Sequence, residues 1–188
     1  MNDITTTNDK SNPEGAGTKI NRFLANTGVI IIKETKEIGT IKCNHEAKLK
    51  AETMILTTAK SSTKVSRKSF GIRLEVTDSE QHKSSALLDF DESEELSNAI
   101  TFIHEASQRI VTEKRDYTEA TFNTKDNIQI GFYQTVDQEQ QAFVQLGTRG
   151  EMIFIPVSSL PTVKKLIEAA RAHLIKKGAG AEEPQSFE

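Results

Sequence analysis

The chain has 188 residues, with 24 Lys and Arg against 27 Asp and Glu, a formal charge of −3 and a single cysteine. One cysteine excludes an internal disulfide framework, and no apolar run approaches the roughly 20 residues that a membrane helix needs. The first residues lack the basic-then-apolar order of a signal peptide, so a soluble cytoplasmic protein is expected.

Residues 1–19 are rich in Thr, Asn, Gly and Ser, and residues 178–188 (GAGAEEPQSFE) have a similar composition. Neither stretch buries enough apolar surface to offset ordering entropy. Both are expected to be disordered tails, which leaves residues 20–177 as a single domain. GVIIIK, starting at Gly28, is a β-branched run that predicts a strand, with Ile38 and Ile41 continuing it after a bend. LKAETMILTT (residues 49–58) predicts a second strand. The polar stretch AKSSTKVSRKS then predicts a loop. SFGIRLEVTD alternates, with Phe70, Ile72, Leu74 and Val76 on one face and Arg73, Glu75 and Thr77 on the other. SSALLDF predicts a fourth strand.

Asp91 and Glu94 have capping-box spacing at the head of a helix, and Asp91, Glu92, Glu94 and Glu95 place acid at the positive end of its dipole. Leu96, Ala99, Ile100, Ile103 and Ile110 mark its buried face. The pattern then repeats. EATFNT opens a second set of strands, NIQIGFYQT sets Phe132 and Tyr133 on opposite faces, and QAFVQLG and EMIFIPV follow. A last helix has Ser158 or Ser159 as cap and Pro161 in its first turn. Val163, Leu166, Ile167, Ala170 and Leu174 form its apolar face, and Gly178 ends it.

The two halves, about residues 28–113 and 117–177, are each four strands followed by one helix. Their helix faces match, with Leu96 against Val163, Ala99 against Leu166, Ile100 against Ile167 and Ile103 against Ala170. A four-stranded sheet with one helix covers only one of its faces. The expected fold is therefore α+β, an internally duplicated four-strand-plus-helix unit whose two antiparallel sheets share one core.

This doubled unit resembles the Whirly family and a dimer of the PC4-like transcriptional coactivators. GEMIFIPVSSLPTVKKLIEAA (residues 150–170) looks like the last strand and helix of that fold. The resemblance rests on element order and implies binding of single-stranded DNA; Whirly's lysine-rich motif has no counterpart here. A pleckstrin-homology-like module, with many strands ending in one C-terminal helix, is the alternative and would bind protein or lipid.

The candidate binding residues are Lys48, Lys50, Lys60, Lys64, Arg67, Lys68 and Arg73, in a stretch where Glu46 and Glu52 are the opposing charges. Phe70 within that stretch and Tyr133 are the candidate stacking residues. Cations that neutralise phosphates beside aromatic platforms are what single-strand binding requires, for DNA or RNA. A solvated loop would have the same composition, and another protein remains an alternative partner. Oligomeric state is not readable from the chain.

The other motifs point to no chemistry. Asp89, Asp91 and Glu92 are explained by helix capping, and Cys43 with His45 supplies two ligands where structural zinc sites usually need four. Ser61-Ser-Thr-Lys64 matches a short serine acyl-enzyme pattern without its companions. No phosphate loop, dinucleotide fingerprint or nucleophile elbow occurs. The chain is read as a non-catalytic binding protein with no cofactor and no metal.

Overall fold

In the computed structural model, which describes residues 17–59, 67–110 and 115–181, the fold is α+β. A short helix α1 (Lys19–Leu24) precedes strands β1 (Ile30–Lys42), β2 (Lys48–Ala59), β3 (Lys68–Thr77) and β4 (Lys83–Asp89) and helix α2 (Glu92–Ile110). Strands β5 (Tyr117–Asn123), β6 (Ile128–Thr135), β7 (Gln140–Leu146) and β8 (Met152–Ile155) and helix α3 (Leu160–Lys176) then repeat the order. The strands form two separate antiparallel sheets, β1-β2-β3-β4 and β5-β6-β7-β8. With α2 dividing the strands four and four, this differs from the single C-terminal helix of the pleckstrin-like expectation.

One apolar cluster joins both sheets and both long helices. Leu49, Ala51, Ile72, Leu74, Ala86 and Leu88 come from the first sheet, and Ile128, Ile130, Phe132, Val144, Ile153 and Ile155 from the second. Leu96, Ile100 and Ile103 of α2 and Val163, Ile167 and Ala170 of α3 fill the space between. These are the alternate strand positions and helix-spaced positions that periodicity singles out. Ala99 is half-buried, whereas its counterpart Leu166 is buried. β1 is a single strand of 13 residues whose register with β2 shifts between Glu37 and Gly39. The bend expected before Ile38 is thus a bulge that leaves the strand continuous.

Helix α1 is the element that periodicity missed. Its six residues are too few to show a repeat, and their signal is tertiary. Ile20 and Phe23 pack on Met54, Leu56, Ile31 and Leu87, a second apolar cluster on the outer face of the first sheet. Gly71 lies beneath α1, and a Cβ there would collide with the Ile20 side chain. Buried Thr18 caps the helix, its side chain accepting from the Asn21 amide at 3.1 Å. The Asp89 carboxylate accepts from the amides of Lys19 at 2.7 Å and Ile20 at 3.1 Å. Packed residues thus occur before the expected boundary at residue 20, since Thr18 is buried. They also occur past 177, since Ala179 is buried in the main core.

Both helix starts differ from their expected caps. Asp91 pairs with Lys19 at 2.9 Å, and Glu94 reaches Arg171 at 2.7 Å. It is Glu92 that returns to a backbone amide, that of Asp89, at 3.3 Å. Ser159, the last residue of a 3-10 turn (Val157–Ser159), sits at the cap of α3 in helical geometry with no side-chain cap bond.

Ile20, Ile100 and Ile167 are fully buried. Each change to Ala is expected to cost about 2–5 kcal/mol, by lost transfer energy plus the cavity left behind. Urea melts check this, and a cost near zero for Ile20→Ala alone would mean that α1 is not docked in solution.

Candidate nucleic-acid interface

Among the described residues, the cations that lie close in sequence do not form one patch. Lys60 and Lys64 lie outside the described residues. Arg67 and Lys68 are exposed at one end of the first sheet, where the Arg67 carbonyl accepts from the Thr58 amide at 2.9 Å. Lys48 is exposed at the other end of β2, opposite Thr77, while Lys68 lies opposite Thr57. The span along β2 between these ends is about 30 Å at the rise of an extended strand.

Lys50 and Arg73 lie between the ends and are committed to carboxylates. Lys50 pairs with Glu52 at 3.1 Å and Glu75 at 3.2 Å. Arg73 pairs with Glu75 at 2.9 Å and Glu52 at 3.4 Å, and Lys83 reaches Glu75 at 3.4 Å. The register places Glu52 opposite Arg73, and Lys50 opposite Glu75, so pleat and pairing assemble this cross-strand lattice. Burial pushes the Glu75 carboxyl up, but Lys50 and Lys83 outweigh it and hold it below its ordinary value. Lys50 and Arg73 are therefore poorly placed as phosphate ligands. Phe70 turns to the core face and packs against the main cluster, so it is no platform.

Tyr133 fares differently. The outer face of the second sheet carries Tyr117, Glu119 and Thr121 from β5, Gln129, Gly131 and Tyr133 from β6, Gln141, Phe143 and Gln145 from β7, and Met152 and Phe154 from β8, as the register requires. Tyr117 stacks on Tyr133 with centroids 6.1 Å apart and rings 21° from parallel. Phe154 meets Tyr133 edge-on at 6.3 Å, and Phe143 is tilted against it at 6.5 Å. Phe143 lies across Gly131, where a Cβ would come within 2.8 Å of its ring. The Tyr133 hydroxyl donates to Gln141 Oε1 at 2.9 Å, and the Tyr117 hydroxyl to Glu119 Oε2 at 2.6 Å. Beside Tyr133 a shallow cleft of about 470 Å³ is lined by Asn44, Gln140, Gln141 and Pro156, among others.

The first sheet's outer face is capped by α1, whereas no described helix lies on this one. Tyr117 is 58 % exposed. Sequence reasoning missed Tyr117, Met152 and Phe154. Alternation did hold the signal for Phe154, because Ile153 and Ile155 on the core face oblige it to point outward.

The remaining reactive groups are dispersed. Burial pushes the Cys43 thiol up to about 11, which disfavours the thiolate that a nucleophile or metal ligand needs. Asp78 and Glu151 hydrogen-bond across two turns. The Glu151 carboxyl is raised by its bond to Asp78 and by that charge. Asp78 is lowered on balance, its burial outweighed by the His82 amide and its other hydrogen-bond partners. Burial lowers His173, whose Nδ1 lies 3.1 Å from Thr53 Oγ1, and Lys36, Lys177 and Lys176 lower it further. Among the described residues, no three His, Cys, Asp or Glu side chains are grouped to hold a metal ion, and no helix is long and apolar enough to cross a membrane. Comparison with protein-family models and with curated proteins finds no match to the chain.

The Glu75 lattice has a pH signature. A carboxyl held below its ordinary value of 4.5 contributes stability that is present above that value and is lost as pH falls through its folded-state pKa. Glu75→Gln is therefore expected to destabilise at neutral pH, with the difference from wild type shrinking in acid. Urea midpoints measured across that range check it, and a difference independent of pH would show that the charge does not act.

Proposed function

We propose that this is a non-catalytic binding protein whose working surface is the outer face of the second sheet, and that unpaired nucleic-acid bases are its ligand. The observation that carries this reading is the stacked Tyr117–Tyr133 pair on a sheet face that no described helix covers. A planar base gains from an exposed aromatic ring whatever its sequence, by about 1–3 kcal/mol per base. Gln129 flanks the rings on the same face, where its side-chain amide can meet a base edge, while Gln141 and Gln145 are engaged by the Tyr133 hydroxyl and the Gly150 carbonyl. Support from element order comes through the resemblance to single-strand-binding folds, which also use sheets. Arg67 and Lys68 are exposed on the other sheet, so few phosphate contacts are expected and binding is weak and without sequence specificity.

A second reading has its own support. The strand positions of this outer face include Glu119 but no Lys or Arg, and aromatic and Met side chains with few charges are the composition of a protein-binding core. On that reading the same face receives an apolar segment of another protein.

Fluorescence anisotropy with labelled single-stranded oligonucleotides across a salt series separates the two. Binding at low salt is expected, with Tyr117→Ala and Tyr133→Ala each weakening it by about 1–3 kcal/mol. Replacing Arg67 and Lys68 together by Ala would flatten the salt slope by about 1.4 if both touch phosphate. Absence of binding at low salt, or affinity indifferent to both tyrosines, removes the nucleic-acid reading and leaves the protein-binding one.

A further inference from the structure

β1 is an edge strand of the first sheet, with no strand beside it among the described residues. The direction of its free backbone groups follows from the ladder. The Thr58 amide donates to the Arg67 carbonyl, so Thr58, Leu56 and Met54 turn their backbone groups toward β3. The alternate residues Thr57, Ile55 and Thr53 turn theirs toward β1. Their partners there are Ile32, Glu34 and Lys36. Ile31, Lys33, Thr35 and Glu37 therefore aim their N–H and C=O groups out of the open edge.

The side chains along this edge read Lys33-Glu34-Thr35-Lys36-Glu37, all exposed. An edge is commonly defended by charge, and a row of one sign would serve that purpose. This row alternates, and its order is self-complementary when a second strand runs antiparallel. With a twofold axis at Thr35, Lys33 lies opposite Glu37 of the second copy, and Glu34 lies opposite its Lys36. Each pair then occurs twice. Moving the axis to Lys33, Glu34 or Lys36 puts that residue opposite its own copy, like charge against like. One register is thus selected, and in it Thr35, Lys33 and Glu37 are the residues whose backbone groups already point outward. The strand also overhangs the core, leaving Ile30 64 % and Ile32 50 % exposed. The favoured register carries Ile32 toward Ile38 of the second copy, where the bulge ends regular pairing.

We propose that two copies of this chain pair through β1, antiparallel about Thr35, and join their first sheets into one eight-stranded sheet. The contact is isologous, as closed twofold dimers require, and is independent of which ligand the second sheet binds.

Sedimentation equilibrium with charge-swapped edges tests this. Wild type is expected to be a dimer. Lys33→Glu with Lys36→Glu makes the edge wholly acidic, and Glu34→Lys with Glu37→Lys makes it wholly basic. Each double variant alone is expected to dissociate, weakening the dimer by at least about tenfold. An equimolar mixture of the two is expected to restore a dimer, because the acidic edge then faces the basic one. Thr35→Pro provides a variant without charge change. It removes the outward N–H at the axis and no bond to β2, and it too is expected to be monomeric. A monomeric wild type up to its solubility limit overturns the proposal. So does a dimer that persists in both charge variants, or a mixture that stays monomeric although both variants keep native circular dichroism.

Discussion

Three carboxylates at one junction hold the two halves of this protein in relation to each other. Asp89, at the end of β4, accepts from the first amides of α1. Glu92, one turn on, accepts from the amides of Asp89 at 3.3 Å and Lys125 at 3.1 Å, the latter in the β5–β6 turn. Asp126 in that same turn accepts from the Leu87 amide of β4 at 2.7 Å and from the Asn21 side chain of α1 at 3.0 Å. Buried carboxylates are costly unless such donors replace water. These hydrogen bonds satisfy acceptor and backbone donor together, so the site where α1, β4, α2 and the second sheet meet is specified by geometry as well as by apolar contact.

The shared core ties the two halves together, and the outer faces explain how the halves come to differ. Four strands and a helix recur in the same order, yet Gly71 and the apolar pair Met54 and Leu56 make the first sheet a seat for α1. The second sheet keeps Tyr117, Tyr133 and Phe154 on the equivalent side, with Gly131 giving Phe143 room to lie flat. Duplication supplies two similar scaffolds. Small residues under an incoming helix or ring then decide which scaffold is closed and which stays open.

Electrostatics at this surface follow strand pairing and not position in the chain. Lys48 to Arg73 reads as a run of cations, but strand geometry separates Lys48 from Lys68, and the pleat turns Lys50, Glu52, Arg73 and Glu75 onto one face. Within that lattice each cation meets two carboxylates. β1 shows the converse arrangement: among the described residues Lys33, Glu34, Lys36 and Glu37 enter no ion pair, and they complement one another across the proposed twofold axis at Thr35.

The sequence by itself determined the fold class, the order of eight strands and two long helices, and most of the core. Each of these rests on local periodicity: period two for Ile128, Ile130 and Phe132, helical spacing for Leu96, Ile100 and Ile103. It also placed Tyr133 on the face away from Phe132. The tertiary structure alone decided that six residues from Lys19 form a docked helix, because their stability comes from Asp89 and Gly71, about fifty to seventy residues away in the chain. It alone neutralised Lys50 and Arg73, turned Phe70 into the core and brought Tyr117 onto Tyr133. Those outcomes depend on which strands pair and in what register, and a register sums contributions along whole strands that no local window contains.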